Sequence, residues 1–161
     1  MLRDQSLIPL SRQHQHALAL CVRLSRAMDA DEVDLEIWQA EMCQQFEQEI
    51  AAHFAAEENE VFPQAARFPE LQPLVQELLA EHEALRALFS RAAARDLDLL
   101  GLADFAEKLP AHIRKEERQL FEAMQKLMST EELSALGAVL KTVLPADVCS
   151  LPAAAKPARP T

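Results

Sequence analysis

Apolar positions recur at steps of three and four along most of the chain, the spacing of amphipathic helices. Residues 1–9 read as an irregular lead-in ending at Pro9. A first helix is predicted from Leu10 or Ser11 to Ala30, its stripe running Leu10, Ala17, Cys21, Leu24 and Met28 with His14 in the same register. Asp29-Ala30-Asp31 breaks that pattern and offers an N-cap to a second helix, about Glu32 to Ala66. Its stripe is Leu35, Trp38, Met42, Phe46, Glu49 or Ile50, His53, Glu57 and Val61, with Pro63 expected to distort the last turn. A third helix is predicted from Glu70 to Arg95, accepting Pro73 in its first turn and running through Leu74, Leu78, His82, Leu85 and Phe89. After a connection at Asp96–Gly101, a fourth runs from Leu102 to Met128 through Phe105, Leu109, His112, Glu116, Leu120 and Met124. Pro110 is expected to kink it or split off its first turns. Ser129-Thr130-Glu131-Glu132 fits a capping box and opens a fifth helix ending near Leu144-Pro145.

Four long amphipathic helices joined by short connections predict an all-α fold, an antiparallel up-down-up-down four-helix bundle with a short fifth C-terminal helix. Residues 1–145 form the expected domain. Residues 146–161, rich in Pro and Ala and without an apolar face, are expected to be a disordered tail.

Composition supports this and narrows the function. With 2 Gly and no Tyr among 161 residues, the chain lacks the turn chemistry of an all-β fold, and 50% hydrophobic content suffices for one core. A formal net charge of -10, with Lys and Arg scattered, argues against nucleic acid. No apolar run reaches membrane-spanning length, and Met1-Leu-Arg-Asp-Gln-Ser lacks the apolar core of a secretory signal. Cys21, Cys43 and Cys149 are odd in number and without metal-ligand spacing, so no disulfide scaffold is expected, and the cytoplasm is the expected compartment.

The chemistry lies in a repeat. His53-Phe54-Ala55-Ala56-Glu57-Glu58 returns as His112-Ile113-Arg114-Lys115-Glu116-Glu117. Residues four apart on a helix differ by only about 40° around its axis, so each histidine shares a face with the first glutamate of its copy. One such pair is an ordinary helix-surface feature; two, each continuing a buried seam, point to a site. His14 or His82 alone would read as a satisfied core histidine, and membership in a set of four lifts both. His14, His53, His82 and His112 with Glu57 and Glu116 exceed what one tetrahedral zinc takes. They suit two metals, each with two histidines and bridged by both carboxylates, and imidazole with carboxylate favours iron or manganese over soft-ligand metals. So few ligands leave room for an oxo or hydroxo bridge and for O2, NO or peroxide. His16, about 200° from His14, reads as a surface or supporting group, with its replacing His14 left open. Glu58 and Glu117, about 140° from their own histidines, read as solvated or salt-bridged, and Glu49 as a solvated carboxylate before an added ligand or proton relay.

Across about residues 10–128 this pattern resembles the hemerythrin-like family, also called HHE cation-binding domains. The resemblance implies a non-haem centre of two iron ions, with manganese or zinc as the other candidates. His14, His53, His82 and His112 would then be terminal ligands, and Glu57 and Glu116 bridges. Oxygen-carrying members have a His-x-x-x-His pair on the third helix, where this chain has Leu78 and Arg86 four residues either side of His82. They also place the fourth-helix carboxylate five residues after its histidine, the position of Glu117 here. Reversible O2 carriage is therefore not the leading expectation. That expectation is a di-iron protein that binds a small diatomic ligand or peroxide for redox or oxygen sensing, nitrosative-stress defence or iron handling. A di-iron enzyme, such as an NO reductase or peroxidase-like activity, would instead turn over with an electron donor. A structural helical protein would have a filled metal site. A sensor is expected to act through a separate protein partner.

Overall fold

The computed structural model describes residues 2–145; the tail expected at 146–161, with Cys149, lies outside the described residues. Regular structure is helical throughout, with no strand among the described residues. Helix α1 spans Ile8–Asp29 and starts before Pro9, which sits in the first turn where its missing N–H leaves no bond unmade. The cap predicted at Asp29-Ala30-Asp31 belongs to the end of α1 instead. Asp31 is left-handed (φ 55°), and the next N–H, of Glu32, returns to the Ala27 carbonyl. The N-cap of α2 is Asp34, whose carboxylate accepts from the N–H groups of Glu36 and Ile37.

Helix α2 covers residues 35–65 and is not uniform. Two π-helical turns, Phe46–Ile50 and Glu57–Val61, interrupt it without ending it. A one-turn 3₁₀ segment, Pro69–Leu71, leads into α3, Gln72–Ala93. Helix α4 covers residues 99–127 and contains a third π turn, Glu116–Leu120. It starts earlier than predicted because Asp98 caps it by accepting from the Gly101 N–H. Gly101, expected in the connection, lies inside the helix, where a Cβ would come within 2.5 Å of the Leu97 side chain.

Pro110 does not split α4, which runs unbroken from Leu99 to Lys115. A proline inside a helix costs about 3 kcal/mol, whereas Phe105, Leu109 and Ile113, all buried around it, contribute about 1.5–3 kcal/mol each. Packing outweighs the lost bond. Helix α5, Thr130–Val143, starts with the predicted capping box of Ser129 and Glu132 and buries Leu133, Leu136 and Leu140.

Helix α1 packs along α4, α4 along α3, and α3 along α2, while α1 meets α2 at the 46–50 turn and α5 lies against the 57–61 turn. The apolar interior is in two parts. Leu10, Phe62, Leu78, Phe121 and Met124 join the leucines of α5 in one cluster, and Leu24, Phe54, Leu85, Phe89 and Phe105 belong to the other. Along α1 and α3 the change from one cluster to the other falls at His14 and His82. A polar layer divides the core. No helix among the described residues is long and apolar enough to cross a membrane.

Candidate metal centre

That polar layer contains His14, His53, His82, His112, Glu57 and Glu116, none of them more than 5% exposed. The six come together as two overlapping groups. His14 and His53 face one pair of carboxylate oxygens, and His82 and His112 face the other. His53 Nε2 lies 3.1 Å from Glu57 Oε1 and His14 Nε2 lies 3.1 Å from Glu116 Oε2. On the other side His82 Nε2 is 3.4 Å from Glu57 Oε2, and His112 Nε2 is 3.2 Å from Glu116 Oε1. Each glutamate thus gives one oxygen to each histidine pair. Within the pairs the Nε2 atoms approach to 3.0 Å, His14 to His53 and His82 to His112.

Close as these contacts are, all four oxygens of Glu57 and Glu116 are buried without a hydrogen-bond partner among the described residues. Two such carboxylates are costly unless a cation meets them. Four imidazole nitrogens converging on four unpartnered carboxylate oxygens is a donor set that fits two hard or borderline cations.

Behind the centre, every histidine has its Nδ1 held. His14 Nδ1 pairs with Glu117 at 2.7 Å, His82 Nδ1 with Glu58 at 2.7 Å, His112 Nδ1 with Glu81 at 2.8 Å and His53 Nδ1 with Gln13 at 2.8 Å. An acceptor at Nδ1 leaves the Nε2 lone pair directed inward, the usual support of a metal-binding histidine. Glu58 and Glu117, read as solvated or salt-bridged, do more than that: the second glutamate of each repeat reaches the lone histidine of a different helix. They are salt-bridged as well, Glu58 to Arg86 at 2.7 Å and Glu117 to Arg3 at 2.6 Å, and the Ser11 hydroxyl donates to Glu117. Lys115 engages Glu81. Gln13 and Glu81 were not singled out from the sequence, although each directly precedes a lone histidine.

His16 stays out of the centre. It is exposed and pairs with Glu49 at 2.9 Å, so His14 takes the central place. Glu49 lines a pocket between α1, α2 and α4 that reaches His14, His53, His112 and Glu116. Phe54 stacks on His82 with ring centroids 3.8 Å apart, and Phe121 stacks on His14 at 5.8 Å, which keeps water from those flanks. Cys21 is buried, and burial pushes its thiol up to about 12, so it serves as core rather than as a nucleophile.

Without a cation, the imidazoles of His14 and His112 and the carboxylates facing them favour one another's charged forms. Burial lowers the pKa of His14, but the Glu116 and Glu117 carboxylates more than reverse this and raise it to about 9. At His112 burial is likewise overcome, chiefly by Glu116 and Glu81, to about 10. Glu57 and Glu116 are pushed up by burial yet end below the ordinary carboxylate value, because the imidazoles facing them favour the charged form. Glu117 falls to about 2. The raised histidines stabilise the metal-free fold fully below 6.5 and lose that contribution as pH rises through about 9 to 10. The lowered carboxylates contribute above 4.5 and lose it as pH falls. Denaturant titrations of metal-free protein should therefore give a clearly lower unfolding free energy at pH 9.5 than at pH 6, and equal values would refute this charge pattern. A cation must displace those protons, so its binding should tighten over the same rise in pH.

The fold and this layer define a class, helical proteins with a paired His/Glu candidate metal site. The family model of the hemerythrin HHE cation-binding domain matches residues 9–124, and the chain belongs to that family. No curated protein and no solved structure matches it.

Proposed function

We propose that the chain is a non-haem di-iron protein that binds a small ligand, O2, NO or peroxide, in sensing, nitrosative-stress defence or iron handling. The observation that carries this reading is the division of each buried carboxylate between two histidine pairs. In this reading Glu57 and Glu116 hold both ions, and His14 with His53 and His82 with His112 complete the two positions. Helices α1 to α4 would form an up-down-up-down bundle around them, in keeping with the packing of α1 on α4, α4 on α3 and α3 on α2. Bound iron supplies redox chemistry and coordination room beyond two imidazoles and two carboxylate oxygens. The chain supplies the rest. Gln13, Glu58, Glu81 and Glu117 fix the rings, and Ile50, Phe54, Leu109 and Ile113 give the pocket an apolar wall that suits a small uncharged ligand.

Metal analysis of the isolated protein, joined to its near-ultraviolet and visible spectrum under air, tests the reading. Close to two irons per chain, with bands that shift on adding NO or peroxide, is the expected result. A single zinc, or no metal after anaerobic iron loading, would sink it.

A further inference from the structure

The two halves of the centre match closely until the supports of the repeat histidines are compared. His112 Nδ1 is held by a carboxylate, Glu81, itself engaged by Lys115, whereas His53 Nδ1 is held by the neutral amide oxygen of Gln13. Both supports sit at the same place in their halves, directly before the lone histidines His14 and His82. A carboxylate drawing on the Nδ1 proton makes an imidazole a stronger donor at Nε2, and an amide does so far less.

Access differs in the same sense. The pocket that reaches the centre is lined by both His14 and His53 but, of the other pair, by His112 alone, and it includes nothing from α3. Three residues after its lone histidine, α1 has the small Ala17, whereas α3 has the buried Leu85, and the cavity of about 140 Å³ beside Leu85, lined by Glu81, Ala84, Lys108 and Ala111, includes none of the four histidines. Four residues before the repeat histidine, α2 has Glu49, which lines the pocket, whereas α4 has Lys108. The π turn Phe46–Ile50 contributes Glu49 and Ile50 to that lining and has no counterpart in the regular helix Leu99–Lys115.

We propose, resting on the two-metal reading, that the positions are unequal: the ion held by His14 and His53 is the more weakly held and the faster to exchange, and Gln13 is the positioning residue that sets the difference. The weaker support and the pocket that touches both His14 and His53 fall on the same side of the molecule.

The test uses the full chain loaded with zinc, which has no redox chemistry, and follows release to a chromogenic chelator. Wild type should lose one zinc quickly and one slowly, with rates about 10-fold or more apart. Gln13→Glu should slow the fast phase toward the slow one and leave the slow phase in place. Glu81→Gln should speed the slow phase alone. Melting curves of both zinc-loaded variants separate a change of support from a loss of fold, since a merely structural effect would move both phases together. Two zinc ions leaving wild type in a single phase, or a Gln13→Glu variant whose fast phase is unchanged, overturns this inference alone. A wild type that takes up fewer than two zinc ions overturns the two-metal reading and this inference with it.

Discussion

Replacing Glu116 with alanine is expected to empty both metal positions, taking a chain that binds two ions to one that retains less than one after dialysis. The reason is geometric. Glu116 Oε2 faces His14 and Glu116 Oε1 faces His112, so one side chain serves both histidine pairs. Supporting residues behind a metal ligand are worth about 10–100-fold in affinity, and a ligand shared by both positions should cost more than that at each. His53→Ala is the contrast, because it touches the His14 pair alone and should spare the His82 and His112 position. Helix content by circular dichroism should survive Glu116→Ala, since the two apolar clusters on either side of the layer are untouched. A Glu116→Ala protein still carrying two ions would show that the carboxylate is not a bridge.

Loading the metals should raise the melting temperature by about 10–20 °C over the metal-free protein. At a hundredfold excess over the dissociation constant each site stabilises the native state by about 2.7 kcal/mol, and in a chain of this size each kcal/mol is worth about 2–4 °C. The layer divides the core, so what compensates the buried carboxylates of Glu57 and Glu116, imidazolium protons or bound cations, bears on both clusters. Scanning calorimetry with and without chelator makes the comparison. Identical melting would mean that no cation meets the buried carboxylates.

Much of this was legible along the chain, because each seam histidine continues an apolar stripe and a buried stripe can be read by period alone. His14, His53, His82 and His112 each keep the register of their leucines and phenylalanines, and all four are buried. The misreadings have local causes. Angles measured on one helix place Glu58 and Glu117 away from their own histidines, but their partners, His82 and His14, arrive from other helices. Asp34 was passed over as a cap because Asp29 and Asp31 offered the same chemistry a few residues earlier. At Pro110 the expected break gave way to the packing of its neighbours.

The π turns left a trace that a strict α-helical reading passes over. His112, Glu116, Leu120 and Met124 are all buried, yet three steps of four would carry a regular α-helix about 120° round its axis. A seam that advances by fours and still faces inward requires a wider turn, which Glu116–Leu120 provides. The steps Glu57, Val61 and Ala65 show the same excess across Glu57–Val61. Such turns concentrate at functional sites, and here the two inside the repeats each begin on the glutamate that faces the centre.

Each of those two turns starts four residues after the repeat histidine and is followed at once by a buried phenylalanine, Phe62 in one half and Phe121 in the other. The two halves thus have the same local geometry at the same place, while the residues set around it differ, Gln13 against Glu81 and Ala17 against Leu85.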